Sequence, residues 1–129
     1  MRVLDASACV DLLLGTARAD GVRDAVRGQA LVAPSLLDVE VCSALARLER
    51  AGEVPGDRVR TAVDDLGTMP LRRLHHDQLL DRAWALRHRV RVADTFYVAC
   101  AQLLRIPLVT SDGRLSRAEL PGVTMHLVR

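Results

Sequence analysis

Short apolar runs alternate along the chain with longer stretches in which apolar residues recur every three to four positions. Runs of the first kind fit buried strands, and stretches of the second fit helices with one inward face. Arg2-Val3-Leu4-Asp5 predicts a first strand ending in Asp5, and Ala6-Ser7-Ala8 opens a helix towards Leu14 that Gly15 closes. A second helix is expected from about Ala19 to Arg27, stopped by Gly28, and Ala30 to Ala33 reads as a second strand. Pro34-Ser35 places a proline and an N-cap before a long helix carrying Leu36, Leu37, Val39, Glu40, Ala44 and Leu48, ended by Gly52. Pro55 and Asp57 begin a fourth helix through Val59, Val63 and Leu66, and Met69 to Leu74 follows as a strand interrupted at its start by Pro70. Asp77 to Arg89 predicts an amphipathic helix with Leu79, Leu80, Ala83, Trp84 and Leu86 in its apolar positions. A helix from Ala93 to Leu104, a strand from Pro107 to Thr110, a turn and short helix over Ser111–Ser116 and a strand from Val123 to Val128 complete the chain.

Regular alternation of strand and helix implies an α/β fold: a mostly parallel sheet covered on both faces and wound by right-handed crossovers. With 129 residues and neither repeat nor linker, residues 1–129 are expected to form one domain. In such sheets, sites form beyond the carboxyl ends of the strands, where strand order switches direction. Asp5 and Asp112 both fall at such ends.

Composition narrows the chemistry. Half of the residues are hydrophobic but Phe, Tyr and Trp occur once each, so the core must be aliphatic. All 18 basic residues are arginine, which excludes a phosphate-loop lysine or a Schiff base. A net charge of +2 provides no global field for nucleic acid, so any such contact must be local. Cys9, Cys42 and Cys100 lie in apolar runs without CxxC spacing and read as small buried hydrophobes of a reducing compartment. No basic and apolar leader opens the chain, and no apolar stretch approaches the roughly 20 residues of a membrane span. A cytoplasmic protein without membrane contact is expected.

Four acids stand in core-forming sequence, where an unpaired carboxylate is costly. Asp5 ends a buried strand, Glu40 sits in Leu36-Leu37-Asp38-Val39-Glu40-Val41-Cys42, Asp94 opens the most continuously apolar helix, and Asp112 follows Leu108-Val109-Thr110-Ser111. Carboxylates gathered in one pocket raise one another's pKa unless a cation neutralises them. Oxygen ligands alone select a hard ion, Mg²⁺ or Mn²⁺, able to activate water for phosphodiester hydrolysis. Taken singly, Asp5 and Asp94 would also serve as helix N-caps and Asp112 as a turn residue.

The segments Val3-Leu4-Asp5-Ala6-Ser7, Val39-Glu40-Val41, Ala93-Asp94-Thr95-Phe96-Tyr97-Val98-Ala99 and Val109-Thr110-Ser111-Asp112 resemble, in order and over the full length, the acidic motifs of the PIN-domain family. Size and layout are similar to its VapC-type toxins, the ribonuclease halves of toxin–antitoxin pairs. The resemblance implies a three-layer α/β/α domain and an Mg²⁺- or Mn²⁺-dependent endoribonuclease. In it Asp5, Glu40, Asp94 and Asp112 would bind the metal, and Ser7 and Thr110 would support the site. It further implies an RNA substrate, a VapB-type antitoxin as partner, and a homodimer. Thr95 stands where the family usually has alanine.

Several neighbours carry weaker signals. Asp38, two residues before Glu40, points to another helix face and reads as solvated; Asp11 reads as a surface residue near the site's edge. His75-His76 suits a turn or cap better than a metal pair, and His88 and His126 lack partners at ligand spacing. Arg87, Arg89, Arg91 and Arg114 flank the acids and are candidates for phosphate contact, with a solvated helix face as the equal alternative. The leucine-rich first two helices and the Leu45–Leu48 stretch are candidates for an antitoxin groove. Receiver-like domains need a lysine that is missing here, and a dehalogenase-type phosphatase needs an aspartate where Ser7 stands. A degenerate PIN-like binding module that keeps the fold without catalysis stays open.

Overall fold

The computed structural model describes residues 1–129. Five parallel strands, β1 (Arg2–Leu4), β2 (Leu31–Pro34), β3 (Leu71–Leu74), β4 (Leu108–Thr110) and β5 (Met125–Leu127), form one sheet in the order β3-β2-β1-β4-β5. The chain fills one side of β1 first and then crosses to β4, so strand order switches between β1 and β4, which pair through Val3–Leu108 and Leu4–Val109. All four of these residues are fully buried. Strands covered on both faces read as unbroken apolar runs, which is why these two were visible in the sequence.

Seven helices flank the sheet: α1 (Ala6–Leu14), α2 (Ala19–Val26), α3 (Leu36–Arg50), α4 (Gly56–Thr68), α5 (Leu80–Ala85), α6 (Val92–Leu104) and α7 (Gly113–Arg117). Helix α1 packs with α2, α3 and α4, while α6 lies against β1, β2 and β4 with α5 beside it, giving the three-layer α/β/α arrangement. Asp5 caps α1 by accepting from the Ala8 N–H at 2.9 Å, and Gly15, at φ +65°, ends it in the left-handed conformation that glycine adopts without strain. The aliphatic core expected from composition is present, with Tyr97 the sole aromatic among its fully buried side chains. No helix is long and apolar enough to cross a membrane.

The structure departs from the expected elements in four places. Ser35 does not cap α3: its hydroxyl donates to the Leu74 carbonyl, and the Leu36 N–H donates instead to His76 Nε2 at 2.9 Å. His76 thus takes the capping role from 40 residues away, with its ring 4.9 Å from Phe96. The helix expected over Asp77–Arg89 is broken into a 3₁₀ turn, His76–Gln78, and the short α5. Leu79, Ala83 and Leu86 are buried, whereas Leu80 and Trp84 lie on a second face, 54% and 66% exposed, with only the Arg87 guanidinium over the Trp84 ring. Strand β3 starts at Leu71, in agreement with the interruption expected at Pro70, which has no N–H for the ladder. Cys9 and Cys100 are buried as expected, but Cys42 is exposed, on the outer side of α3.

Candidate active site

The carboxyl ends of β1 and β4 open into a cleft of about 500 Å³ between α1, α3 and the start of α6. Asp5, Glu40, Asp94 and Asp112 all line it, with Ser7, Asp11, Tyr97 and Ser111 among their neighbours. Four elements supply the four acids. Asp5 follows β1 and Asp112 lies two residues past β4, each capping the next helix; Glu40 is in the second turn of α3 and Asp94 in the first turn of α6.

Asp5 is 5% exposed and accepts from Ser7 Oγ at 2.8 Å as well as from Ala8 N–H, both on Oδ1. Burial lifts its carboxyl from the ordinary 3.8 to about 6. The N–H of Ala8 and the hydroxyls of Thr110 and Ser7 pull it down, while the charge of Asp94 adds to the rise. The Asp112 carboxylate accepts from Arg114 N–H (2.9 Å) and Leu115 N–H (3.4 Å), also on Oδ1. All the protein contacts of the Asp112 carboxylate fall on that one oxygen. Ser7 and Thr110 tie the two strand ends together: Ser111 N–H donates to Ser7 Oγ at 3.0 Å, Asp112 N–H to Thr110 Oγ1 at 2.9 Å, and the two hydroxyls are 3.4 Å apart.

Asp94 is held differently. Arg91 donates to it through Nε (3.0 Å) and Nη2 (3.1 Å), a two-pronged contact that occupies both oxygens. With these side-chain positions no three acids converge tightly enough to share one ion. The donor set still suits a hard cation: it is all oxygen, and Asp5 is buried beside another acid at a cost that positive charge would relieve.

Three lining residues had no role in the sequence reading. Tyr97 is buried with its hydroxyl unpartnered at bonding geometry, and burial followed by the nearby Glu40 carboxylate keeps that phenol protonated. Arg18 and Arg47, exposed and free of any acidic partner, line the cleft from the start of α2 and from α3. Only their fold-dependent meeting reveals them. Of the flanking arginines named from sequence, Arg91 lines the cleft and Arg114 Nε lies 3.7 Å from Asp112. Arg87 instead stacks on Trp84, and Arg89 donates to the Glu119 carbonyl. Asp38 is not simply solvated but forms a two-pronged pair with Arg73 at 2.8–3.0 Å, joining α3 to β3. Asp11 lines the cleft while accepting from Thr16 Oγ1 at 2.7 Å.

The family model described as "PIN domain" matches residues 2–120. This chain belongs to the PIN-domain family. Among its relatives, a protein named ribonuclease VapC3 from Mycobacterium tuberculosis is 41% identical over 117 residues, covering 90% of this chain and 85% of the relative. Ribonuclease VapC1 from the same organism is 40% identical over 127 residues, covering 97% and 94%. A solved structure described as VapBC2 from Rickettsia felis bound to a DNA fragment from their promoter aligns with TM-score 0.68 at 11% identity, over 99% of this chain and 98% of that one. At such low identity the last similarity speaks for the PIN fold alone. Within that fold, the four acids of this chain share one cleft at the switch point of the sheet.

Proposed function

We propose that this chain is the endoribonuclease toxin of a toxin–antitoxin pair, hydrolysing RNA phosphodiester bonds with water at the acidic cleft. The observation that carries the reading is the gathering of four acids from four elements in one cleft of a PIN domain whose relatives are ribonucleases. Asp5, Glu40, Asp94 and Asp112 would hold Mg²⁺ or Mn²⁺, with Ser7 and Thr110 fixing the strand ends that present Asp5 and Asp112. When bound, the ion would make water a stronger nucleophile and stabilise charge on the reacting phosphate. The chain's own groups do the rest. The acids set where the water stands, and Tyr97 supplies a neutral hydroxyl beside Glu40. Arg18 and Arg47 offer guanidinium forks to flanking phosphates.

Relatives called ribonucleases and a solved VapBC pair support a VapB-type antitoxin as partner. The groove for it is narrower than the leucine pattern suggested, because Leu13 and Leu45 are core residues; Ala6, Val10, Ala44 and Leu48 are the aliphatic residues left on the cleft wall. We also read residues 1–129 as a single domain, a homodimer and a cytoplasmic protein, in keeping with an RNA substrate and three free thiols. The exposed apolar side chains of Leu80, Trp84 and Val92 support self-association. Light scattering is expected to return twice the 14.1 kDa chain mass, and a monomer at micromolar concentration would remove the homodimer from this reading.

The reaction class is tested by the ends of the products. Attack by water leaves internal cuts with open phosphates. A 2′,3′-cyclic phosphate would mean that the ribose hydroxyl attacked instead, and intact RNA at high enzyme concentration would favour the degenerate binding module.

A further inference from the structure

Arg91 occupies both oxygens of one of the four acids. It precedes α6, and its side chain folds back over the first helical turn to fork both oxygens of Asp94. The acid lies inside, its side chain 14% exposed, and the arginine lies on the lip at 62%. Arg91 lines the same cleft as Glu40 and Asp112, whose charges add to the pull of Asp94 on its guanidinium. Nothing in the helix demands this pair, since Asp94 in the first turn of α6 is already favoured by the helix dipole.

We propose that Arg91 has two alternating partners: it neutralises Asp94 while the cleft holds no metal, and it grips an RNA phosphate once a divalent cation takes that carboxylate. The proposal rests on the reading of the four acids as a metal site. A divalent ion on Asp94 cancels the attraction that holds the guanidinium and replaces it with repulsion. The fork that fitted a carboxylate fits a phosphate equally well, and the polyanion entering the cleft is the substrate. Arg18 and Arg47, having no acidic partner, contact phosphates whether metal is present or not. Arg91 is therefore the arginine whose grip depends on metal. It couples loading of the ion to capture of RNA.

Opposite effects of one substitution test this. In calorimetry, Arg91→Ala is expected to bind Mn²⁺ about threefold to tenfold more tightly than the wild type, because the ion no longer displaces an ion pair. RNA binding is followed by anisotropy with a short fluorescein-labelled single-stranded RNA carrying hydrolysis-resistant phosphorothioate linkages. Mn²⁺ should strengthen that binding in the wild type. In Arg91→Ala the gain should vanish and the dependence of log K on log salt should flatten by about 0.7, one phosphate contact on a single strand. Arg91→Lys, which keeps the charge without the fork, should fall between. A wild type that binds no Mn²⁺ would overturn the metal reading and the proposal with it. A wild type that binds Mn²⁺ as tightly as Arg91→Ala would overturn the proposal alone, leaving Arg91 a structural partner of α6. Tighter Mn²⁺ binding with unchanged RNA binding would overturn the phosphate grip.

Discussion

Asp5→Asn is expected to silence RNA cleavage by roughly 10³-fold while making the metal-free protein harder to unfold. The first effect follows from loss of the negative charge of a carboxylate proposed to hold the metal in the cleft. The second follows from burial. Asp5 titrates at about 6 in the fold against 3.8 ordinarily, so its ionised form is the disfavoured one. Below pH 3.8 the carboxyl is protonated in both folded and unfolded chains and has no effect. Between 3.8 and 6 the unfolded chain ionises first and stability drains away, and above 6 the full cost is about 3 kcal/mol. An asparagine carries no such cost, and its Oδ1 still accepts from Ala8 and Ser7. Melting in chelator near neutral pH should therefore rise by roughly 5–10 °C in the variant and stay equal at pH below 3.8. A variant no more stable than the wild type near neutrality would show that Asp5 is already compensated inside the protein.

Removing divalent ions is expected to stop cleavage altogether, and returning Mg²⁺ or Mn²⁺ to restore it. Acid should mimic the chelator, because protons and the cation compete for the same oxygens. With Asp5 at about 6 when metal-free, cleavage should fall as pH drops through that region, approaching tenfold per pH unit if one proton is responsible. Competition adds a sharper signature: raising the Mn²⁺ concentration must push the acidic limb to lower pH. Rate profiles against pH at two metal concentrations measure this directly. A limb that stays in place would assign the proton to a group outside the metal site, and chelator-resistant cleavage would exclude the ion from the reaction.

How far the sequence reached depended on whether a contact was local. Asp5 and Asp112 were legible because each follows a short apolar strand, and parallel topology fixes where such strands end. Glu40 and Asp94 were not legible in that way. Helical periodicity says that a carboxylate sits among apolar neighbours but not what it faces across the fold, so both came from family resemblance. The same limit explains the errors. Ser35 looked like the cap of α3 because caps are normally sought next door, whereas His76 reaches it from beyond β3. Leu80 and Trp84 keep helical spacing, but spacing cannot tell whether anything covers the face it defines. Asp38 and Arg73 are 35 residues apart and meet only because β3 runs parallel beside β2. Arg18, Arg47 and Tyr97 join the cleft through α1–α3 packing and the depth of α6, neither of which leaves a local trace.

The unequal exposure of the three thiols has a practical side. Burial pushes Cys9 and Cys100 up to about 12, which leaves almost no thiolate near neutrality and makes both unreactive. Cys42 alone is exposed, and it sits two residues after Glu40 on α3. A maleimide dye or nitroxide should therefore attach at one natural position without removing the other cysteines, and the label would ride on the helix that carries an acid of the cleft. Arrival of metal, RNA or antitoxin could then be watched in the unmutated chain.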